Sequence, residues 1–230
     1  MKKAPGGLGV EEAMTLVEML LVIAILAVFL ALSLPGLSLL RGRSQEGRCM
    51  ANLRQIGTAF ASYCADNSGV LPYGYHPSFG YWSGQLKPYL PYTGPTFKVY
   101  FCPAEKVVSK TEGRSNYIAN PYVLPDGQKP LMKRTPLVRI QRPSQVAILF
   151  DGGVGSTGNS DWGIWAHPEV TRYTSEADAD RSLPQGPDSD GAPSTIRWRH
   201  RQSTQCLFVD GHVSAMKVGE LRQKNLHVDY

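Results

Sequence analysis

The chain has 230 residues, a formal net charge of +5 and 42% hydrophobic residues, which is enough for one domain with a hydrophobic core. Its basic residues are scattered rather than concentrated in one patch, which argues against a nucleic-acid-binding protein. The apolar residues are concentrated in one N-terminal segment, and the remainder contains most of the 23 glycines and 17 prolines. This distribution predicts one apolar helix followed by a loop-rich soluble part.

The first predicted element is an apolar helix over residues 19–40, a stretch without any charged residue. At about 22 residues it would be ~33 Å long, close to the ~30 Å hydrocarbon core of a bilayer. We therefore expect it to span a membrane and to place the arginines that follow it at the lipid headgroups. A cleavable signal peptide is the alternative, because Ala31 and Ser33 would suit its peptidase. However, Glu11 and Glu12 stand where such peptides carry positive charge.

Residues 13–25 read Ala-Met-Thr-Leu-Val-Glu-Met-Leu-Leu-Val-Ile-Ala-Ile, with a glutamate at the start of the apolar run. A carboxylate at membrane depth is costly unless it lies near the interface or has a partner. The stretch resembles the cleavage and methylation signal of type IV prepilins and type II secretion pseudopilins. The resemblance implies cleavage by a prepilin peptidase/methyltransferase between Ala13 and Met14 and N-methylation of Met14. It also implies that Glu18 pairs with the terminal amine of a neighbouring pilin or pseudopilin subunit.

The resemblance extends to Pro35 and departs from the family pattern at Ala13. Prepilin helices commonly carry a proline in their second half, where it interrupts the hydrogen-bond ladder and kinks the helix. The residue before the cleavage site is usually glycine in that family, whereas it is alanine here. The expected organisation is a leader peptide over residues 1–13, a pilin-like helix over residues 14–66 and an extracytoplasmic head over residues 67–230.

Beyond Pro35 the helix is expected to resume with one apolar stripe and to end at the turn residues 66–69. The head is predicted to contain a short helix around residues 82–90 and strands at 145–150, 206–209 and 212–216, the last two joined by an Asp-Gly hairpin turn. The sequence therefore predicts an α+β fold, in which a long transmembrane-to-amphipathic helix packs on a small antiparallel sheet with long loops, as in pilins. The stripe consists of Cys49, Leu53, Ile56, Phe60 and Tyr63.

A second resemblance rests on His200, nine intervening residues and then Asp210-Gly211. This H-x9-DG pattern is similar to the signature of a prepilin-like family abundant in planctomycete- and verrucomicrobia-type bacteria. Asn-Leu-Arg-Gln-Ile-Gly at 52–57, Phe-Cys-Pro at 101–103 and Ser-Asn-Tyr at 115–117 match the same family in order. The resemblance implies a single-pass inner-membrane protein with its head in the periplasm or at the cell surface.

The aspartates and the histidine of the tail allow two predictions. If the hairpin turn falls at residues 202–203, His200 faces Gln205 and lies roughly 16 Å from Asp210 at ~3.3 Å per residue, so both would secure hairpin ends rather than share one ion. Asp151 and Asp210 each follow a predicted strand and precede a glycine. If those strands are parallel neighbours, the two carboxylates lie at one sheet edge and could bind calcium.

Four cysteines leave disulfide formation open in an exported chain. Cys49 and Cys64 would lie roughly 22 Å apart on one helix, beyond the ~7 Å between Cα atoms that a disulfide allows. If both possible disulfides form, each would have to pair with Cys102 or Cys206, and the family resemblance favours Cys49 with Cys102. The sequence has no Cys-x-x-Cys pair and no Cys/His spacing typical of zinc, so a structural zinc is not expected.

The expected function is that of a structural subunit that assembles through its N-terminal helix into a pilus or a type II secretion pseudopilus. The alternative is a membrane-anchored surface module that binds a glycan and forms no filament. An enzyme is not expected, because the sequence shows no nucleophile–base pair and no metal-binding spacing. No cofactor other than calcium is expected. In the glycan-binding alternative, the sugar-binding platform would be formed by Trp82, Trp162, Trp165 and Tyr173.

Overall fold

The computed structural model describes residues 14–91, 98–105, 115–128, 133–152, 180, 182–183 and 196–228, without the side chains of residues 32–39. It divides into two compact units, Met1–Arg41 and Gly42–Tyr230. Ala13 and most of the segment between Gly152 and Ile196 lie outside the described residues. Helix α1 extends from Leu16 to Asp66 over 51 residues, so its C-terminal part belongs to the second unit, which we call the head.

Helix α1 begins with a capping box. The Glu18 N–H donates to Thr15 Oγ1 at 3.3 Å, and the Thr15 N–H donates to Glu18 Oε2 at 2.8 Å, so each residue satisfies an otherwise unpaired amide of the first turn. The helix ends at Asp66, and Ser68 and Gly69 then adopt positive φ angles. The end predicted at residues 66–69 is confirmed.

The helical residues of the first unit leave their apolar side chains exposed. Every Met, Leu, Val, Ile and Phe side chain from Met14 to Leu30 is exposed, by 46% to 75%. The backbone of α1 is helical through Pro35, and the kink there stays a prediction. Among the residues that the structure describes, no helix is both long and apolar enough to cross a membrane. The membrane span over residues 19–40 therefore also stays a prediction.

In the head, the predicted apolar stripe of α1 is confirmed. Cys49, Leu53, Ile56, Phe60 and Tyr63 are all buried. The helix also approaches the sheet closely at Gly57, where a Cβ atom would lie 2.9 Å from Cδ1 of Leu207. The stripe therefore provides one side of the core of the head.

The α+β class is confirmed, with two small antiparallel sheets in the described residues. The larger sheet has the strand order β3 (Tyr117–Ala119), β4 (Ala147–Asp151), β5 (Ser203–Phe208) and β6 (Val213–Lys217), and all of its pairs are antiparallel. The helix predicted over residues 82–90 is present as α2 and a following 3-10 turn. The strands are β1 (Tyr75–His76), β2 (Gly80–Tyr81), β3 (Tyr117–Ala119), β4 (Ala147–Asp151), β5 (Ser203–Phe208) and β6 (Val213–Lys217), and α2 is Trp82–Gln85. The 3-10 turns are Lys87–Tyr89, Lys98–Tyr100, Leu137–Arg139 and Gln223–Asn225.

The sheet carries a core on each face because its central strands are buried throughout. Leu207 of β5 packs in the cluster that contains the α1 stripe. Its neighbours Cys206 and Phe208 pack in a second cluster with Trp198 and Leu226, as the two-residue alternation of a strand requires. The sheet thus fixes the positions of the residues at its strand ends.

Two details of the predicted head are wrong and one is confirmed. The turn before β5 is formed by Arg201 and Gln202, both with positive φ angles, so His200 pairs with Ser203 rather than facing Gln205. Strands β4 and β5 are antiparallel, not parallel. The hairpin between β5 and β6, with its Asp-Gly turn, is confirmed.

Candidate functional site

Four buried side chains of the head meet at one point although they are far apart in the sequence. Cys49 lies on α1, Cys102 follows the 3-10 turn Lys98–Tyr100, Asp151 is the last residue of β4, and His200 precedes the turn into β5. One potential ligand atom from each residue lies within 4.8 Å of all the others. We call these residues the Cys2AspHis cluster.

Two close contacts of the cluster converge on one ring nitrogen. Nε2 of His200 lies 3.1 Å from Sγ of Cys102 and 3.2 Å from Oδ2 of Asp151. The Cys102 thiol is also hydrogen-bonded to Cys49. The donor atoms therefore surround a common point instead of forming a linear chain.

Asp151 is the most costly member of the cluster to bury. It is fully buried, and neither of its carboxylate oxygens receives a hydrogen bond of good geometry from the residues that the structure describes. A buried carboxylate without such bonds is strongly destabilising unless a cation lies beside it.

Arg199 supplies one such cation. Its Nε lies 3.4 Å from Oδ2 of Asp151, its Nη1 lies 2.8 Å from Oε2 of Glu105, and its Nη2 donates to the Gly152 carbonyl. Both charged side chains of the Arg199–Glu105 pair are buried. The guanidinium therefore holds two carboxylates and the backbone after β4 in place.

Burial and close contacts shift the pKa values of the cluster. The pKa of the Cys102 thiol is raised, first by its hydrogen bond with Cys49 and then by burial. Burial lowers the pKa of His200, but its contacts with Asp151 and Cys102 more than reverse this effect and raise that pKa to about 9. With no metal bound, the cluster therefore contains a neutral Cys102 thiol and a protonated imidazole beside Asp151 at neutral pH.

This geometry differs from that of a catalytic Cys-His-Asp triad. In a triad the nucleophile and the carboxylate contact opposite ring nitrogens, whereas Cys102 and Asp151 both approach Nε2 of His200. A catalytic cysteine also has a lowered pKa and an accessible sulfur. Cys102 has a raised pKa and is buried.

The predicted disulfide partners, Cys49 and Cys102, lie together in the cluster. All four cysteines fall within the described residues, and each is a buried free thiol. Cys64 and Cys206 are outside the cluster. The disulfide stays a prediction, while the proximity of Cys49 and Cys102 is established.

The calcium pair predicted at Asp151 and Asp210 does not come together. Antiparallel pairing of β4 with β5 places Phe150 opposite Cys206 and Ala147 opposite Phe208, so the two aspartates follow opposite ends of this strand pair. Asp210 is exposed, and its Oδ1 accepts hydrogen bonds from the N–H and Nδ1 of His212. It secures the hairpin turn beside Gly211, as predicted.

The other predicted site residues are distributed between the two units. Glu18 caps its own helix in the first unit. Trp82 is buried and stacks on Phe60 with 5.9 Å between ring centroids, so it belongs to the core rather than to a glycan platform. Trp162, Trp165 and Tyr173 lie outside the described residues.

Comparison with known proteins gives no match among family models, curated proteins or solved structures. The function of the chain therefore has to be argued from its own residues and their geometry.

Sequence reasoning missed the joint role of Asp151 and His200. The sequence predicts a hairpin end for His200, a calcium edge for Asp151, a possible disulfide for Cys49 and Cys102, and no structural zinc. The only local signals are a cysteine after an aromatic run and an aspartate at the end of a buried strand. No spacing rule connects residues that the fold collects from four separate segments.

Proposed function

We propose that the chain is a prepilin-like structural subunit that assembles through the N-terminal part of α1 into a pilus or a type II secretion pseudopilus. The observation that carries the proposal is the exposure of every large apolar side chain from Met14 to Leu30 on a continuous helix. Burying one such side chain is worth about 1.5–3 kcal/mol. A helix with this surface needs lipid or other apolar helices around it.

Lipid and neighbouring helices would cover this surface at different stages of prepilin assembly. Before assembly the helix would lie in the inner membrane as a single span, with the head on the periplasmic side. During assembly it would exchange lipid for the same segment of neighbouring subunits. Ala24, Ala27 and Ala31 would let such helices approach closely.

Glu18 would have one set of hydrogen-bond partners before assembly and another after it. In the single chain its carboxylate accepts two hydrogen bonds from Thr15 at 2.8 Å. After cleavage, the N-methylated ammonium of Met14 on a neighbouring subunit would offer a charged donor, and a charge-assisted hydrogen bond is about twice as strong as a neutral one. Glu18 would then exchange an internal partner for a partner in the next subunit.

Processing is tested by intact-mass analysis of the full chain extracted from a bacterial host with a prepilin peptidase. We expect a chain that begins at Met14 and carries one added methyl group. Ala13→Leu should block cleavage, whereas Ala4→Leu, elsewhere in the same leader, should not. A chain that begins at Leu34 would refute the proposal, because a signal peptidase would then have removed the apolar helix.

Assembly is tested by comparing Glu18→Ala with Thr15→Ala in a host that has a pilus assembly system. Each variant breaks the capping box, but only the first removes the carboxylate. We expect both variants to be processed and only Glu18→Ala to be lost from the sheared filament fraction. Equal loss of both variants would mean that Glu18 acts through the helix cap alone, and a wild-type chain absent from the filament fraction would refute assembly.

A further inference from the structure

We propose that the Cys2AspHis cluster of Cys49, Cys102, Asp151 and His200 is a structural zinc site that joins α1 to the sheet of the head. All four side chains are buried, and their donor atoms lie within 4.8 Å of one another. The site is independent of cleavage and of filament assembly, because all four residues belong to the head.

The donor set selects the metal. Two sulfurs, one imidazole nitrogen and one carboxylate oxygen are ligands that Zn²⁺ accepts in four-coordinate structural sites. Calcium and magnesium take oxygen ligands, so two cysteines in the set exclude them as the preferred cation. Soft sulfur ligands together with imidazole favour zinc among the available divalent cations.

The distances fit a tetrahedral ion after small adjustments. Zinc–ligand bonds of about 2.0–2.3 Å imply separations of ~3.3–3.8 Å between neighbouring ligand atoms. The observed separations of 3.1 Å between Sγ of Cys102 and Nε2 of His200, and of 3.2 Å between that Nε2 and Oδ2 of Asp151, are slightly shorter. An ion at the centre would move the side chains apart by a few tenths of an ångström. Because His200 faces both neighbours with the same nitrogen, loss of the Nε2 proton would leave a lone pair directed at that centre.

Zinc would also satisfy the carboxylate that the protein leaves without good hydrogen bonds. Neither oxygen of Asp151 has such a bond within the described residues. On binding, the two thiols and the protonated His200 imidazole release their protons to solvent, because zinc binds thiolates and the neutral ring nitrogen. Two thiolates and one carboxylate then exceed the ion's charge by one negative unit, which the neighbouring Arg199 offsets.

The surroundings of the cluster are those of a supported metal site. The Tyr117 hydroxyl donates to Sγ of Cys49 at 3.4 Å, and Arg199 holds Asp151 from the other side. Such outer contacts orient metal ligands and tune their basicity. An open cleft of about 630 Å³, lined in part by Cys102 and Glu105, provides a route for the ion.

The test measures zinc in the full chain, purified in detergent under reducing conditions from zinc-supplemented cells. We expect about one zinc per chain by atomic emission, and at least a fivefold lower content in Cys49→Ser and in His200→Gln. Cys64→Ser is the matched control, since Cys64 is a buried cysteine on the same helix outside the cluster. It should keep the full content.

Cobalt gives a readout that does not depend on the stability of the variants. Co²⁺ added to the chelator-treated wild-type chain should give a thiolate-to-cobalt charge-transfer band and the intense visible bands of tetrahedral coordination. Their absence would overturn the proposal.

Two further results would overturn it as well. In the first, the protein extracted without reductant contains no zinc, and its mass is lower by two hydrogens because Cys49 and Cys102 are joined in a disulfide. The other is equal zinc loss in Cys64→Ser, which would show that the metal follows general folding and not this cluster. Neither result would bear on processing at Ala13, so the two proposals can fail separately.

Discussion

The two units use the same helix in opposite ways. In the first unit, every large apolar side chain from Met14 to Leu30 is exposed, whereas in the head the apolar stripe that begins at Cys49 is buried. In the head, the chain supplies its own cover through the larger sheet and through residues such as Tyr100 that pack in the same core cluster as the stripe. The first unit has no comparable cover among its described residues. The difference separates the part of α1 that packs in the core of the head from a part whose large apolar side chains stay exposed, which is the surface that the proposed assembly would cover.

The largest change in the free energy of unfolding should come from disturbing buried charge, which the described residues contain only in the head. Arg199→Met leaves Asp151 and Glu105 buried without their shared cation, and such a loss costs about 3–5 kcal/mol. Arg201→Met, two residues away, breaks an exposed pair with Glu46 and should cost no more than ~1 kcal/mol. Urea unfolding of the full chain in detergent, followed by tryptophan fluorescence, measures both values. Equal effects would show that the buried network contributes little.

The comparison is sharpened by one substitution made at two positions of the same helix. Leu53 is fully buried and Leu21 is 60% exposed. Leu53→Ala should lower the free energy of unfolding by about 2–5 kcal/mol, because it removes packing and leaves a cavity. Leu21→Ala should change it by less than ~0.5 kcal/mol. The same denaturation experiment decides, and a large loss for Leu21→Ala would mean that the first unit packs on its own chain.

These contrasts show which features can be predicted from a single sequence. The α1 stripe follows from steps of three and four between Cys49 and Tyr63, and the last hairpin follows from Asp210-Gly211 between two apolar runs, because both signals are local. The turn before β5 was misplaced by one residue, since positive φ angles at Arg201 and Gln202 have no glycine to mark them. The similar endings of β4 and β5 suggest that Asp151 and Asp210 share one edge, but this would require parallel strands, whereas the structure has the antiparallel pairing that the fold prediction implies.

The Cys2AspHis cluster could not be predicted, for a different reason. His200 reaches Asp151 because β5 pairs with β4 and places the residue before the β5 turn beside the end of β4. Cys49 reaches the same point because α1 packs on that sheet. Each step depends on long-range pairing, which leaves no trace in residue spacing.

A smaller effect is expected where α1 touches the sheet. A Cβ atom at Gly57 would lie 2.9 Å from Cδ1 of Leu207, while one at Gly47 would meet nothing within 4 Å. Gly57→Leu should therefore destabilise the head by about 1–3 kcal/mol through overpacking. Gly47→Leu should be neutral or stabilising by up to ~1 kcal/mol, because glycine is a poor helix former. If the two substitutions have the same effect in denaturation, close helix–sheet contact at Gly57 is not important for stability.

The smallest effect is chemical and tests the first unit in its membrane. Burial raises the pKa of the Cys64 thiol to about 11, so at pH 8 this thiol should react slowly with a charged, membrane-impermeant maleimide until the chain is denatured. In a Leu21→Cys variant, the new thiol would lie on the exposed apolar surface of the first unit, and Cys64 would serve as an internal reference. We expect both thiols to be protected in intact membranes, because lipid would cover position 21 and the head core covers Cys64. Mass analysis of labelled peptides reads both sites at once. Rapid labelling of position 21 beside a protected Cys64 would show that water, not lipid or a neighbouring helix, covers the first unit, and the proposed assembly role would then lose its main support.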